Sequence, residues 1–157
     1  MRVVVVRLQQ RHRALHAHEA RALDQHRADG RLGRRVDERR QQRGGVGEVA
    51  RAVAMDGHET VTAEDGAEAL EILIREAGAF DLLLTDIQMP VMDGIALALA
   101  AARDFPDLTI ILMTGFADQR ERAHGLNAIV HDVVTKPFSV ADIRAAVAAA
   151  LQARKTG

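Results

Sequence analysis

Two apolar spacings alternate along residues 46–157. Val46, Val49, Ala50 and Val53 recur at helical intervals up to Asp56-Gly57, a helix-stop signal. His58 to Ala63 is short and β-branched, which predicts a strand. Asp65-Gly66 opens a second helix, with Glu68 three residues after Asp65 as in a capping box, Leu70, Leu73, Ile74 and Ala77 on one face, and Gly78 at its end. Phe80 to Thr85, Asp81 apart, is the continuous apolar run of a strand buried on both faces, and Asp86 follows it. Met89-Pro90 and Asp93-Gly94 form a loop. Ile95, Ala98, Leu99 and Ala102 then predict a helix that ends before Pro106. Leu108 to Met113 is a further buried strand closed by Thr114-Gly115. A polar helix follows over 118–125, then a shorter strand from Ile129 to Thr135 closed by Lys136-Pro137-Phe138. Ser139 caps a last helix whose Ile143, Val147 and Leu151 make its core stripe. This alternation predicts a parallel sheet with helices on both faces, one strand short at the front. Val3 to Val6 is strand-like, but about 40 residues without strand or turn punctuation follow it, poor context for a first core strand.

Composition changes the picture at the front of the chain. The 157 residues carry a net charge of −1, yet residues 1–48 hold 12 Arg against 6 acids, while the remainder holds 9 Lys and Arg against 16 acids. Clustered Arg ordinarily suggests a nucleic acid or an acidic partner. From Arg2 to Ala54, however, only Arg, Val, Leu, Gln, His, Ala, Glu, Asp and Gly occur, all of which have codons beginning with G or C. That restricted alphabet is expected where a gene rich in G and C is read out of frame. The expected organisation is therefore a basic segment over 1–34, disordered or read in the wrong frame, and a folded domain over 35–154, best patterned from about 46. His12, His16, His18 and Glu19 have helical metal-ligand spacing but no apolar support, and Gly44-Gly45-Val46-Gly47 lacks the spacing of a dinucleotide loop. The absence of Cys excludes disulfide scaffolds, zinc-thiolate sites and thiol catalysis. No apolar run approaches the roughly 20 residues of a membrane span, and no signal peptide is evident, so a cytoplasmic protein without membrane contact is expected.

The chemistry lies at strand ends. In an open parallel sheet, ligands bind beyond the carboxyl ends of the strands. Asp86, Thr114 and Lys136 each stand just past an apolar run. A carboxylate nucleophile with a hydroxyl and an ammonium to hold transferred oxygens suits phosphoryl chemistry.

Asp86-Ile87-Gln88-Met89-Pro90 with Asp93-Gly94, Met113-Thr114-Gly115, Lys136-Pro137-Phe138 and Asp65-Gly66-Ala67-Glu68-Ala69-Leu70 together resemble the motifs of the CheY-like receiver domain of bacterial two-component response regulators. The Leu-Leu-Leu-Thr-Asp and Met-Thr-Gly-Phe-Ala strings are similar to those of stand-alone, CpdR-like receivers. The resemblance implies a flavodoxin-like, doubly wound parallel five-stranded sheet of order 2-1-3-4-5, with the first strand degraded or missing here. It implies that Asp86 takes a phosphoryl group from a sensor histidine kinase or phosphotransfer protein, that Thr114 and Lys136 bind its oxygens, and that Lys136-Pro137 is cis. It also implies Mg²⁺ as cofactor, held by Asp86 and the Gln88 backbone carbonyl together with an acidic pair. Signalling would run through contacts with a downstream protein target rather than a DNA-binding domain, and the chain would not be an enzyme beyond weak self-phosphorylation and autodephosphorylation.

Two departures stand out. The acidic pair belongs near residues 39–42, where the chain has Arg39-Arg40-Gln41-Gln42, and two Arg repel a hard cation. The family often has an aromatic switch residue at the position of Val133, so output would depend on Thr114 and the preceding loop instead, with Phe116 nearby as a loop phenylalanine. A pseudo-receiver that binds partners without Mg²⁺ or phosphate is the alternative. A nucleotide- or flavin-binding protein on a similar sheet is disfavoured by the absence of a phosphate-cradling loop.

Overall fold

A computed structural model describes residues 3–8, 46–115, 121–123 and 125–156. The elements are β1 (Val3–Arg7), α1 (Val46–Met55), β2 (Glu59–Ala63), α2 (Gly66–Arg75), β3 (Leu82–Asp86), α3 (Gly94–Asp104), β4 (Thr109–Thr114), β5 (Asp132–Thr135) and α4 (Val140–Thr156). The strands form one sheet in the order β2-β1-β3-β4-β5. This is the flavodoxin-like order expected.

One expectation is corrected at the centre. The slot between β2 and β3 is filled by Val3–Arg7, the segment whose context argued against a core strand. It runs antiparallel to both neighbours, Val3 lying opposite Ala63 and Thr85 and Val6 opposite Thr60 and Leu82. β3, β4 and β5 are parallel, as patterned. The sheet is therefore mixed, not wholly parallel. The physical reason is burial: Val3, Val4, Val5 and Val6 are all fully buried, and no other apolar run of this kind occurs before α1. The region near residues 39–42 lies outside the described residues.

Alternation along β1 feeds two cores. Val3 and Val5 join Leu83, Leu112 and the inner faces of α2 and α3 (Ile72, Leu73, Leu97, Ala98, Ala101). Val4 and Val6 join Leu82, Leu84, Ile111 and Met113 under α1 and α4 (Val49, Val53, Ile143, Val147, Leu151). Each helix has local causes. Asp65 caps α2 by accepting from the Glu68 N–H at 2.9 Å, while the Glu68 carboxylate accepts from the Glu64 N–H rather than that of Asp65. Asp93 caps α3 by accepting from the Ala96 N–H at 2.8 Å. Ser139 and Asp142 cap α4 reciprocally. Leu99, placed on the core side of α3 by its spacing, is 51% exposed, and Leu97 and Ala101 face inward instead.

The base of the sheet, at the amino ends of β3 and β4 and the carboxyl end of antiparallel β1, is fastened by charge. Arg7 donates to Glu76 and to the Ala79 carbonyl, both at 3.1 Å, and lies over the Phe80 ring. Asp81, fully buried, accepts from the Leu8 N–H at 2.8 Å and lies 3.3 Å from the Arg154 guanidinium. Arg154 also donates to the Asp81 carbonyl at 2.9 Å and the Asp107 carbonyl at 2.5 Å.

Candidate functional site

At the opposite edge β3 delivers Asp86 and β4 delivers Thr114. Parallel register sets Asp86 opposite Met113, so Thr114 stands one residue further out on the adjacent strand. Beyond β5, Lys136 turns back toward the same place. Its backbone N–H donates to the Thr114 carbonyl at 2.7 Å, and its Nζ lies 2.6 Å from Asp86 Oδ2. The Lys136–Pro137 bond is cis. The other carboxylate oxygen of Asp86, Oδ1, accepts from the Gln88 N–H at 3.1 Å. The Asp86 side chain is 14% exposed and that of Lys136 38%. This is a half-sheltered ion pair at the rim. Thr114 is fully buried.

The loop after Asp86 is held by two close approaches. The Gly94 N–H donates to the Ile87 carbonyl at 2.9 Å, and a Cβ at Gly94 would fall 2.2 Å from the Asp86 carbonyl oxygen. The Gly66 N–H donates to the Met92 carbonyl at 3.2 Å, and a Cβ there would fall 2.6 Å from that oxygen. Between them, exposed Val91 adopts φ +65°, a conformation β-branched residues rarely take.

Comparison with known proteins gives the family. The response regulator receiver domain model matches residues 36–148. The chain belongs to the response regulator receiver family. Among curated relatives, the response regulator MprA of Mycobacterium leprae is 32% identical over 107 residues, covering 68% of this chain and 46% of that protein. The transcriptional regulatory protein PrrA of Mycobacterium tuberculosis is 33% identical over 106 residues, 68% of this chain and 45% of that one. The receiver thus spans less than half the length of these relatives. Among solved structures, the receiver domain of NtrX from Brucella abortus is 26% identical with a TM-score of 0.60, covering 66% of this chain and 87% of that one. A Clostridium thermocellum receiver domain protein, 23% identical over 70% of this chain and 87% of its own, shares the fold with a TM-score of 0.64.

The receiver motifs quoted from the sequence thus converge: Asp86, Gln88, Thr114 and Lys136 meet at one edge. Mg²⁺ usually binds through one or two carboxylates and keeps several waters. Among the described residues Asp86 would hold it, both its oxygens taking hydrogen bonds here, and no group of three or more His, Cys, Asp or Glu able to hold a metal occurs. The family match begins at residue 36 and takes in Asp37 and Glu38, adjacent carboxylates directly ahead of the stretch where spacing put the acidic pair. They, Arg39-Arg40, Phe116 and the His12, His16, His18 group lie outside the described residues. Val133, at the aromatic-switch position, is half-buried on β5 opposite Leu112. Sequence reasoning missed Gly66 as a contact of the acid's loop, because its signal was absorbed by the helix opening. It also read Asp81 only as a polar interruption, although a buried acid in an apolar run demands a partner.

Among the described residues no helix is long and apolar enough to cross a membrane.

Proposed function

We propose that this receiver accepts a phosphoryl group on Asp86 from a histidine kinase or phosphotransfer protein and signals through contact with a downstream protein. The 2.6 Å contact of Lys136 Nζ with Asp86 Oδ2 carries the reading. It puts a mobile cation on the nucleophile, beside a strand-end hydroxyl. In the transfer, an Asp86 oxygen forms the bond to phosphorus as the bond to the donor's nitrogen or oxygen breaks, and the leaving group keeps that electron pair and takes up a proton from solvent. Lys136 moves from the carboxylate to a phosphoryl oxygen, and the Thr114 hydroxyl donates to another. The product carries about −1.5 to −2 charge where the carboxylate carried one. That added charge draws Thr114 and Lys136 inward and alters the surface around β5 and α4.

Acetyl phosphate with Mg²⁺, followed by intact mass, tests this. A single phosphoryl addition that Asp86→Ala abolishes is the expected result. The second reading, a partner-binding pseudo-receiver, is favoured by the absence of any group of three or more His, Cys, Asp or Glu able to hold a metal among the described residues. No addition to the native chain decides for it. Addition lost in Asp37→Ala/Glu38→Ala identifies those two residues as the acidic pair.

A further inference from the structure

We infer that Gly66, at the start of a helix that bears none of the reacting groups, is a positioning residue for Asp86 and acts through Met92. The inference rests on the phosphoacceptor reading for its kinetic consequence and on geometry alone for its mechanical one. The first helical residue of α2 has no side chain, and the Met92 carbonyl occupies the space a Cβ would fill, 2.6 Å away, with Met92 Cγ at 3.0 Å and Cβ at 3.1 Å. The same carbonyl accepts the Gly66 N–H. Met92 lies two residues before Gly94, whose own missing side chain lets the loop close on the Asp86 carbonyl and the Ile87 Cα. The loop that begins at Asp86 is thus gripped at both ends of its span, by Gly94 from within and by Gly66 from outside.

An alanine at position 66 forces one side to move, because a backbone oxygen at 2.6 Å cannot rotate away as a side-chain tip would. Helix α2 is poorly placed to yield. Asp65 caps it, and Ala69, Ile72 and Leu73 anchor it in the core. Nor can the far end of the loop give, since Gly94 is packed on Asp86 and its N–H is spent on Ile87. The displacement is therefore concentrated in residues 87–92, which include the Gln88 N–H bound to Asp86 Oδ1. Misplacement of a reacting group by about 1 Å costs up to about a hundredfold in rate.

The test uses the full chain and compares the native protein, Gly66→Ala, Gly66→Ala/Met92→Gly and Gly78→Ala. Gly78 has φ +75° at the base of the sheet, so its substitution destabilises without touching the loop. Two readouts are taken: the rate of acetyl phosphate labelling per folded molecule, and hydrogen exchange over residues 86–94. Gly66→Ala is expected to label about tenfold or more slowly and to lose protection at 87–92. The double variant sheds the Met92 Cγ and Cβ contacts but keeps the carbonyl at 2.6 Å, so it fully recovers neither, and Gly78→Ala keeps the native rate and loop protection. Where Gly66→Ala does not fold, hydrogen exchange of the native chain stands in: the Gly66 N–H, bound to the Met92 carbonyl, is expected to be protected and to open together with residues 87–92. Native loop protection in Gly66→Ala, or a Gly66 N–H that exchanges freely in the native chain where that measurement stands in, overturns the inference, as does a rate loss equalled by Gly78→Ala. If the native chain takes no phosphoryl group, the phosphoacceptor reading fails while the exchange data still decide the role of Gly66.

Discussion

β1 and β3 lie side by side at the centre of the sheet, both buried on both faces, and they are held there by different means. β3 is fixed by its flanks. A capped helix precedes it, a capped helix follows it, and its parallel partner β4 repeats the same apolar pattern. β1 is separated from α1 by residues 8–45, and its four identical valines carry no information about direction or register. A strand whose positions are interchangeable is weakly specified by packing. Its direction is set at the base, where Arg7 meets Glu59, Glu76 and Phe80 and the Leu8 N–H meets Asp81. Hydrophobic burial fills the slot, and ionic contacts decide which way round. On the β3 side the balance differs: packing orients the strand, Asp81 just before it ties the base, and Asp86 and Lys136 put charge at the functional rim.

That contrast can be broken in four places. Val5→Asp puts an unpartnered carboxylate into the fully buried centre of β1 and is expected to cost about 4 kcal/mol or more. Thermal or urea melting that stays cooperative with an unchanged midpoint would show that the slot does not depend on this strand. Asp81→Ala removes the group that binds both Leu8 and Arg154, leaving a largely buried guanidinium, and is expected to cost about 3 kcal/mol; a urea midpoint within error of the native protein refutes it. Arg7→Met keeps the aliphatic cover but removes the charge, for about 1–2 kcal/mol. Lys136→Met at the other edge is expected to change stability by less than about 1 kcal/mol while stalling phosphoryl uptake. Equal stability losses for these two would erase the distinction between an orienting and a functional charge. The smallest effect is on pH dependence. Hydrogen bonds from the Ser139 N–H and hydroxyl hold the Asp142 carboxyl below its ordinary value of 3.8. A lowered folded-state value means that the ionised cap stabilises above the ordinary value and loses that contribution as pH falls through the folded one. Asp142→Asn is therefore expected to be less stable than the native chain near neutrality, with the gap closing in acid below pH 3.8, as paired urea melts would report.

The sequence made some of this visible. β3, β4, Asp86 and Lys136 were legible because long apolar runs broken by a single functional residue have few other readings. β1 was not, since the pairing that stabilises Val3–Val6 comes from residues far along the chain, and local context is silent about it. The face of α3 was misjudged at Leu99 because Gly94–Asp104 is apolar nearly throughout, and a helix rich in Ala and Leu has little periodicity to read. Gly66 looked like a helix opener, and only the fold brings Met92 against it. The clamp of Arg154 on Asp81 joins residues too far apart for any spacing rule.

Asp81 also gives the fold an order in time. It binds Leu8 from the first strand and Arg154 from the last helix, so the base can be completed only when the end of α4 has been made. At synthesis rates of about 5–20 residues per second, some 75 residues separate Arg7 from Leu82, a delay on the order of 4–15 s. For that interval the valines of β1 have no slot to enter. A newly made chain thus carries the valines of β1 exposed until β3 exists to complete the slot, and chaperone demand should concentrate in that window.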